Sequence, residues 1–249
     1  MPRRKITVAK NLRAKFVRWT GNLGILLFNN VLIKWLFPLA ITGFAVTVQQ
    51  RGWGLLNNVE LPLPVVVALA IILLDLAIYV QHVMFHTVPL LWRFHRMHHT
   101  DTDFDVTTGI RFHPVEIIIS IVIKLGVIIV LGPPAIAVLV FEILLNATSM
   151  FNHGNIYLPL SVDRVLRWFI VTPDMHRVHH SVEPLETNSN YGFNIPWWDR
   201  LFGTYIAQPN KGHEAMEIGL KEFRAPKYLQ LQWLLAQPFI KNHTVSSAK

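Results

Sequence analysis

Twelve histidines and no cysteine distinguish this chain of 249 residues, and nine of the histidines fall into four short groups. They are His82-Val-Met-Phe-His86, His95-Arg-Met-His98-His99, Asn152-His153-Gly154-Asn155 and His176-Arg-Val-His179-His180. On a helix, residues three and four apart share a face, so each His-x-x-His-His triplet points three imidazoles the same way, and His82 and His86 form a matching pair. Nine imidazoles are more than one ion can use, whereas two ions, each four- or five-coordinate, can take them. A donor set of imidazoles without thiolates suits iron, copper, nickel or zinc. The lack of Cys excludes disulfide scaffolds, iron–sulfur clusters, thiolate zinc sites and cysteine nucleophiles. A lone His pair four residues apart is more often a packing feature, but two triplets sharing the pattern His-Arg-x-His-His-(Thr/Ser) argue against coincidence. His113, in Arg111-Phe-His-Pro114, lies near the groups in sequence, while His213 and His243 read as solvent-facing.

The elements that must position these residues are membrane helices. The chain is 52% hydrophobic and only 15% charged, where soluble domains carry about 25% charged residues. Four apolar segments, at 23–48, 65–80, 115–131 and 135–151, each approach the roughly 20 residues that cross a bilayer as helix. The first carries Asn29, Asn30, Lys34 and Pro38, which blur its ends, and the second continues as helix to His86. Gly132-Pro133-Pro134 removes two backbone donors and reads as a hairpin turn between the last two. Arg3, Arg4, Lys5, Lys10, Arg13, Lys15 and Arg18 have no acid among them; such a stretch before an apolar segment is a cytoplasmic, lipid-facing flank rather than a nucleic-acid surface. The opening segment is too long and too polar for a cleaved signal peptide.

With residues 1–20 inside, successive helices exit, return, exit and return. Every His then lies on the cytoplasmic side except His82, one turn inside the membrane on that face. At 161–170, Val162, Val165, Leu166, Phe169 and Ile170 recur at helical spacing opposite Arg164 and Arg167, the pattern of an interfacial helix. Residues 229–235 read as another, and 243–249 as a frayed end. The expected fold is an all-α integral membrane protein, with four transmembrane helices in two hairpins and a cytoplasmic helical cap holding a dinuclear metal site. Residues 1–60 form a basic arm and first membrane helix, 61–208 the catalytic domain, and 209–249 a cytoplasmic tail.

Polar residues inside the apolar segments fit this arrangement. Asp75, Tyr79, His82 and His86 fall on one stripe, so Asp75 faces the way the imidazoles face; an ionisable residue in lipid requires a partner, here a ligand His or a bundle hydrogen bond. Glu142, Asn146 and His153 make a comparable stripe, with polar contact between helices as the simpler reading. Lys124 has no evident partner.

The order His-x3-His, His-x2-His-His, His-x2-His-His, separated by apolar hairpins, resembles the fatty acid hydroxylase/sterol desaturase superfamily of integral-membrane di-iron enzymes. The likeness runs from Asp75 to Thr204 and extends to the wording around the motifs: Leu91-Trp-Arg-Phe-His-Arg-Met-His-His-Thr100, Arg111-Phe-His-Pro-Val-Glu116, Thr172-Pro-Asp-Met-His-Arg-Val-His-His-Ser181, Asn190-Tyr-Gly192 and Trp198-Asp-Arg-Leu-Phe-Gly-Thr204. This resemblance implies that His82, His86, His95, His98, His99, His176, His179 and His180 bind two iron ions, for which zinc can substitute, with His153 as an additional ligand. Asp75, Tyr79, His113, Asp174 and Asn190 become candidates to support those ligands. Some members have a second His four residues before the counterpart of His153; Ser149 stands there in this chain, leaving one coordination position open or water-filled. The implied activity is O2-dependent hydroxylation or desaturation of a lipid C–H bond, in a fatty acyl chain, sterol or related isoprenoid that enters from the bilayer. With no Rossmann glycine fingerprint and no haem motif, the electrons come from a separate donor protein. The short chain and absent retention signal point to a bacterial inner membrane. The alternative is a membrane protein that binds metal without turnover; a zinc hydrolase is disfavoured by the lack of His-Glu-x-x-His.

Overall fold

The computed structural model describes residues 12–37 and 39–240; Arg3, Arg4, Lys5, Lys10 and the 243–249 end lie outside the described residues. Among the described residues there are helices and no strands: α1 (Leu12–Leu36), α2 (Ile41–Gln50), α3 (Leu63–Thr87), α4 (Pro89–His99), α5 (Pro114–Leu131) and α6 (Ala135–Asn152), followed by the shorter α7 (Leu160–Leu166), α8 (Pro173–His179), α9 (Pro184–Thr187), α10 (Trp197–Leu201), α11 (Gly212–Ala215) and α12 (Leu231–Ala236). Four stretches are long and apolar enough to cross a membrane: Leu12–Asn58, Leu63–Thr87, Pro114–Leu131 and Ala135–Asn152.

The first of these differs from the single helix expected at 23–48. Helix starts at Leu12, stops at Leu36 and resumes at Ile41. Pro38, itself outside the described residues, falls in the gap; proline lacks an N–H, and its ring collides with the carbonyl four residues earlier in a continuing helix. Restarting lets α2 pack against both α5 and α6, where Ala45 and Val48 join Leu74, Ile78, Ile128, Val138 and Phe141 in the apolar core.

At the far end of α2, Gln49 Oε1 accepts the Ala135 N–H at 2.9 Å. Gly132 caps α5 in the left-handed conformation, with φ 61°, and a Cβ there would lie 2.1 Å from the Trp53 carbonyl oxygen. Only glycine meets both demands. The connections at 51–62 and 132–134 therefore meet at one end of the bundle, and the histidines gather at the other.

At the histidine end, α7 and the turn after it leave Val162, Val165, Trp168 and Phe169 exposed and bury Asp163 against Arg167 at 2.6 Å. This agrees with a helix lying in an interface with its polar side toward the protein. Residues 229–235, expected to be interfacial as well, instead bury Leu234 against Ile25 and Met97. Arg96 donates to the carbonyls of Gln237 (2.6 Å) and Ile240 (2.7 Å), so this segment clamps α4 onto α1.

The strongest tie between α1 and the histidine end is ionic. Arg18, 1% exposed, donates to Asp101 at 2.6 and 2.9 Å and to Asp105 at 2.7 and 3.1 Å. Burial alone would raise the Asp101 carboxyl, but Arg18 and Arg111 beside it hold it below the ordinary carboxylate range. Breaking such a pair strands a buried charge. Arg18→Met is expected to lower stability by about 3–5 kcal/mol, read as an earlier thermal unfolding transition in detergent; an unchanged transition would show that the pair is dispensable.

Candidate metal centre

Each imidazole arrives on an element whose geometry the sequence dictates. His82 and His86 lie one turn apart at the end of α3, and α4 follows at once because Pro89 takes the first helical position, where a missing N–H costs nothing. That helix carries His95, His98 and His99. Helix α8 starts at Pro173, with the Thr172 hydroxyl accepting the Met175 N–H at 3.4 Å, and delivers His176, His179 and, at its C-terminal cap, His180. His153 caps α6. All nine are at most 9% exposed. They sort into two sets, His82, His86, His95, His99 and His179 in one, and His98, His153, His176 and His180 in the other, with the candidate ligand atoms of each set within 4.8 Å of one another.

Six rings are held by one nitrogen. The Nδ1–H groups of His82, His179, His98 and His153 donate to the carbonyls of Tyr191 (2.7 Å), Ser189 (2.7 Å), Arg111 (3.3 Å) and Ser149 (2.8 Å). His95 Nδ1 meets Glu116 Oε1 at 2.6 Å, and His86 Nδ1 meets Asn188 Oδ1 at 3.2 Å. Anchoring the outer nitrogen to an acceptor fixes the tautomer and leaves Nε2 as the lone-pair donor, the arrangement of metal-ligating histidine.

The consequence is unfavourable contact between the inner nitrogens. His82 Nε2 and His95 Nε2 lie 3.2 Å apart, as do His99 Nε2 and His95 Nε2; His98 Nε2 and His153 Nε2 lie 3.3 Å apart. In the pair His98 with His153, where both Nδ1–H groups are committed to carbonyls, neither inner nitrogen of the neutral rings carries a proton to share. His86 Nε2, His179 Nε2 and both nitrogens of His180 are buried and have no partner among the described residues. Burial first, and neighbouring imidazoles second, hold His98, His99, His176, His179 and His180 well below their ordinary range, and burial lowers His153 to about 4. Neutral imidazoles with facing lone pairs fit one cation in each set.

A short loop supplies three of the anchors. Asn188, Ser189 and Tyr191 each orient one imidazole, and Asn190, at φ 50°, pins the loop by donating to the carbonyls of Met175 (3.0 Å) and Ile206 (2.8 Å) and accepting the Ile206 N–H (2.9 Å). The Asp199 carboxylate accepts the N–H groups of Tyr191 (2.7 Å) and Gly192 (2.9 Å) and the Thr204 hydroxyl (2.7 Å). Gly109 makes room for the second set, since a Cβ there would lie 3.0 Å from His153 Nδ1.

The structure disperses the supporting candidates. Asp75 accepts from Trp198 Nε1 at 2.8 Å rather than from an imidazole, and Tyr79 bonds Thr204 at 2.9 Å while stacking on Phe202. His113 caps its own helix by accepting the Val115 N–H at 3.2 Å and contacts the Leu235 carbonyl; it is not brought to the cluster. Asp174 pairs with Arg177 at 2.5 Å. Beside Asp174, at 4.0 Å, lies His213, which is buried rather than solvent-facing because 209–240 folds back over the site. Lys124 does have a partner: Glu142 Oε1, at 2.6 Å. Glu116, Asn188, Ser189 and Tyr191 were not among the candidates; Glu116 falls within the quoted Arg111-Phe-His-Pro-Val-Glu116 wording, three residues past His113, but backbone acceptors leave no signature in side-chain identity.

Glu116→Gln keeps an acceptor for His95 and removes its charge. Metal affinity, measured by competition with a chromophoric chelator, is expected to fall about 10–100-fold. Unchanged affinity would mean that His95 is not a ligand.

Residues 67–204, which contain all nine clustered histidines, match the fatty acid hydroxylase family. The chain is 30% identical over 209 residues to the ornithine lipid hydroxylase of Rhizobium tropici, covering 82% of this chain and 59% of that protein. It is 28% identical over 180 residues to the alkylglycerol monooxygenase of Xenopus tropicalis, covering 70% of this chain and 38% of that protein. A cholesterol 25-hydroxylase-like protein of Danio rerio is 27% identical over 200 residues, or 76% of this chain and 74% of the relative. The chain thus spans less than two thirds of the first two relatives. No solved structure matches it. With the family match extending over more than half of its length, the chain belongs to the fatty acid hydroxylase family.

Proposed function

We propose that the protein is a membrane di-iron oxygenase that hydroxylates a C–H bond of a lipid. The observation that carries this reading is the division of nine buried imidazoles into a set of five and a set of four. The reaction converts one C–H to C–OH, releases the second oxygen atom of O2 as water, and consumes two electrons and two protons from a separate donor protein. Two iron ions, held by the two sets, supply the means of activating O2 against an unactivated C–H bond. The set of four, with Ser149 in place of a further His, leaves more of an ion's coordination shell to non-protein ligands than the set of five.

The chain's own residues do the rest. Glu116, the 188–191 loop and the carbonyls of Arg111 and Ser149 hold the ligands before iron arrives, so little reorganisation accompanies binding. Phe104, Phe112 and Phe193 pack on the rings and keep bulk water from a reactive centre. A cavity of about 350 Å³ reaches His82 and His95 from between α1, α3, α5 and α6, which supports entry of substrate from the bilayer. Hydroxylation is favoured over desaturation by the relatives, which are named as hydroxylases and monooxygenases. The spans are read as two hairpins, with the histidine end cytoplasmic because the early basic residues stay inside. The Rhizobium relative favours a bacterial inner membrane.

The test is mass spectrometry of membrane lipids from cells with and without the gene, under air and under limiting oxygen. The expected result is one lipid class gaining a single oxygen atom only when both gene and oxygen are present. Lipid profiles that are identical in all four conditions, from cells holding metal-loaded protein, would contradict turnover.

A further inference from the structure

The cavity that reaches the histidines is lined unlike a channel for hydrocarbon. Among apolar wall residues such as Ile78, Phe85 and Phe193 it presents Asn29, Gln81, Glu116, Ser120 and Asn146, together with the pair Lys124–Glu142. It shares Ile33, Ile41, Ile121 and Glu142 with a second cavity of about 500 Å³, whose other walls are apolar apart from Thr42 and include Phe37, Leu39, Phe44 and Leu125. The outer cavity is thus more uniformly apolar than the inner one, and the Lys124–Glu142 pair stands where the two meet.

Part of this polar wall is tied up within the protein: Gln81 donates to Ser120 at 2.9 Å and Asn146 to the Glu142 carbonyl at 2.7 Å. Other groups are left over: Asn29 donates to the Phe112 carbonyl at 2.9 Å, and its Oδ1, like the second carboxylate oxygen of Glu116, is buried without a partner among the described residues. Lys124 uses one of its three donors on Glu142. This pair lies about 15 Å along α5 from Pro114, near the middle of the span. An ion pair is an expensive way to join two helices in lipid, since apolar residues of similar volume are often as stable or more so, and charged groups at such depth mark binding pathways. A hydrocarbon tail gains nothing from amides and charges, whereas a head bearing an ammonium and an anionic group matches Glu142 and Lys124 in turn.

Resting on the oxygenase reading above, we infer that the passage is a head-first binding site for a zwitterionic lipid: the head lies among Asn29, Lys124 and Glu142, the tail trails into the bilayer, and the C–H bond offered to the metals belongs to the head or to the carbons beside it.

The experiment is native mass spectrometry of the detergent-purified full-length protein titrated with three probes of equal chain length: an acylated amino-acid lipid with free ammonium and carboxylate, phosphatidylethanolamine, and diacylglycerol. At least one zwitterionic probe is expected to bind about ten-fold or more tighter than diacylglycerol, and the first two arms distinguish a carboxylate from a phosphate head. Lys124→Met/Glu142→Leu is expected to erase the preference with metal content intact. Equal binding of all three by the wild type would overturn the proposal without any variant, as would a preference that survives in a folded double variant. Oxygen insertion far down the chain of a neutral lipid would refute the head-first site and leave the oxygenase reading standing. Selective zwitterion binding without an oxygenated product from any probe, given a reductant and O2, would uphold the site and count against turnover.

Discussion

Facing lone pairs on buried imidazoles are the constraint around which this protein is organised. With the Nδ1–H groups of His98 and His153 committed to the Arg111 and Ser149 carbonyls, their Nε2 atoms stand 3.3 Å apart with no proton between the neutral rings. In the other set the inner nitrogens of His82 and His95 approach to 3.2 Å. In a desolvated pocket facing lone pairs repel, and burial with the neighbouring rings opposes protonation of His98, His99, His176, His179 and His180. A cation held in each set would convert the repulsion into coordination and would link the folded site thermodynamically to its metals.

Holding that arrangement needs rigidity that the ligand helices lack by themselves. Helix α8 is 7 residues long and α4 is 11, too short to be stable alone in water. Their positions are imposed by buried polar ties: Arg18 to Asp101 and Asp105, Arg96 to the 237–240 carbonyls, Asn190 to Met175 and Ile206. Such ties are directional, and truncating one partner leaves a buried group unsatisfied. This suits a site whose function depends on fixed ligand positions and whose apolar core lies mostly within the spans.

Much of this was legible in the sequence, for identifiable reasons. Helical periodicity alone places His95, His98 and His99 on one face, and the apolar lengths alone define the last three spans, though not the broken first one. The division of the histidines into five and four was not legible, because each set draws on helices distant in the chain. Nor were the carbonyl anchors, which any residue type supplies. Two features did leave readable traces. Lys124 and Glu142 are equidistant from Pro133, so a turn at 132–134 brings them to equal depth. Pro38, inside an apolar segment, signalled the break between α1 and α2. The 209–240 segment gave no such sign: its packing rests on contacts such as Leu234 with Ile25 and Met97, which only the folded chain brings together.

The account stands most directly on the claim of two separate ions. Elemental analysis of the protein purified anaerobically with iron, beside His153→Ala, tests it, because His153 belongs to one set alone. The wild type should carry about two metal equivalents and the variant about one, since a site that loses one imidazole of four loses much of its affinity while the set of five is untouched. A wild-type content of one or fewer, or a variant that keeps both ions, would contradict it.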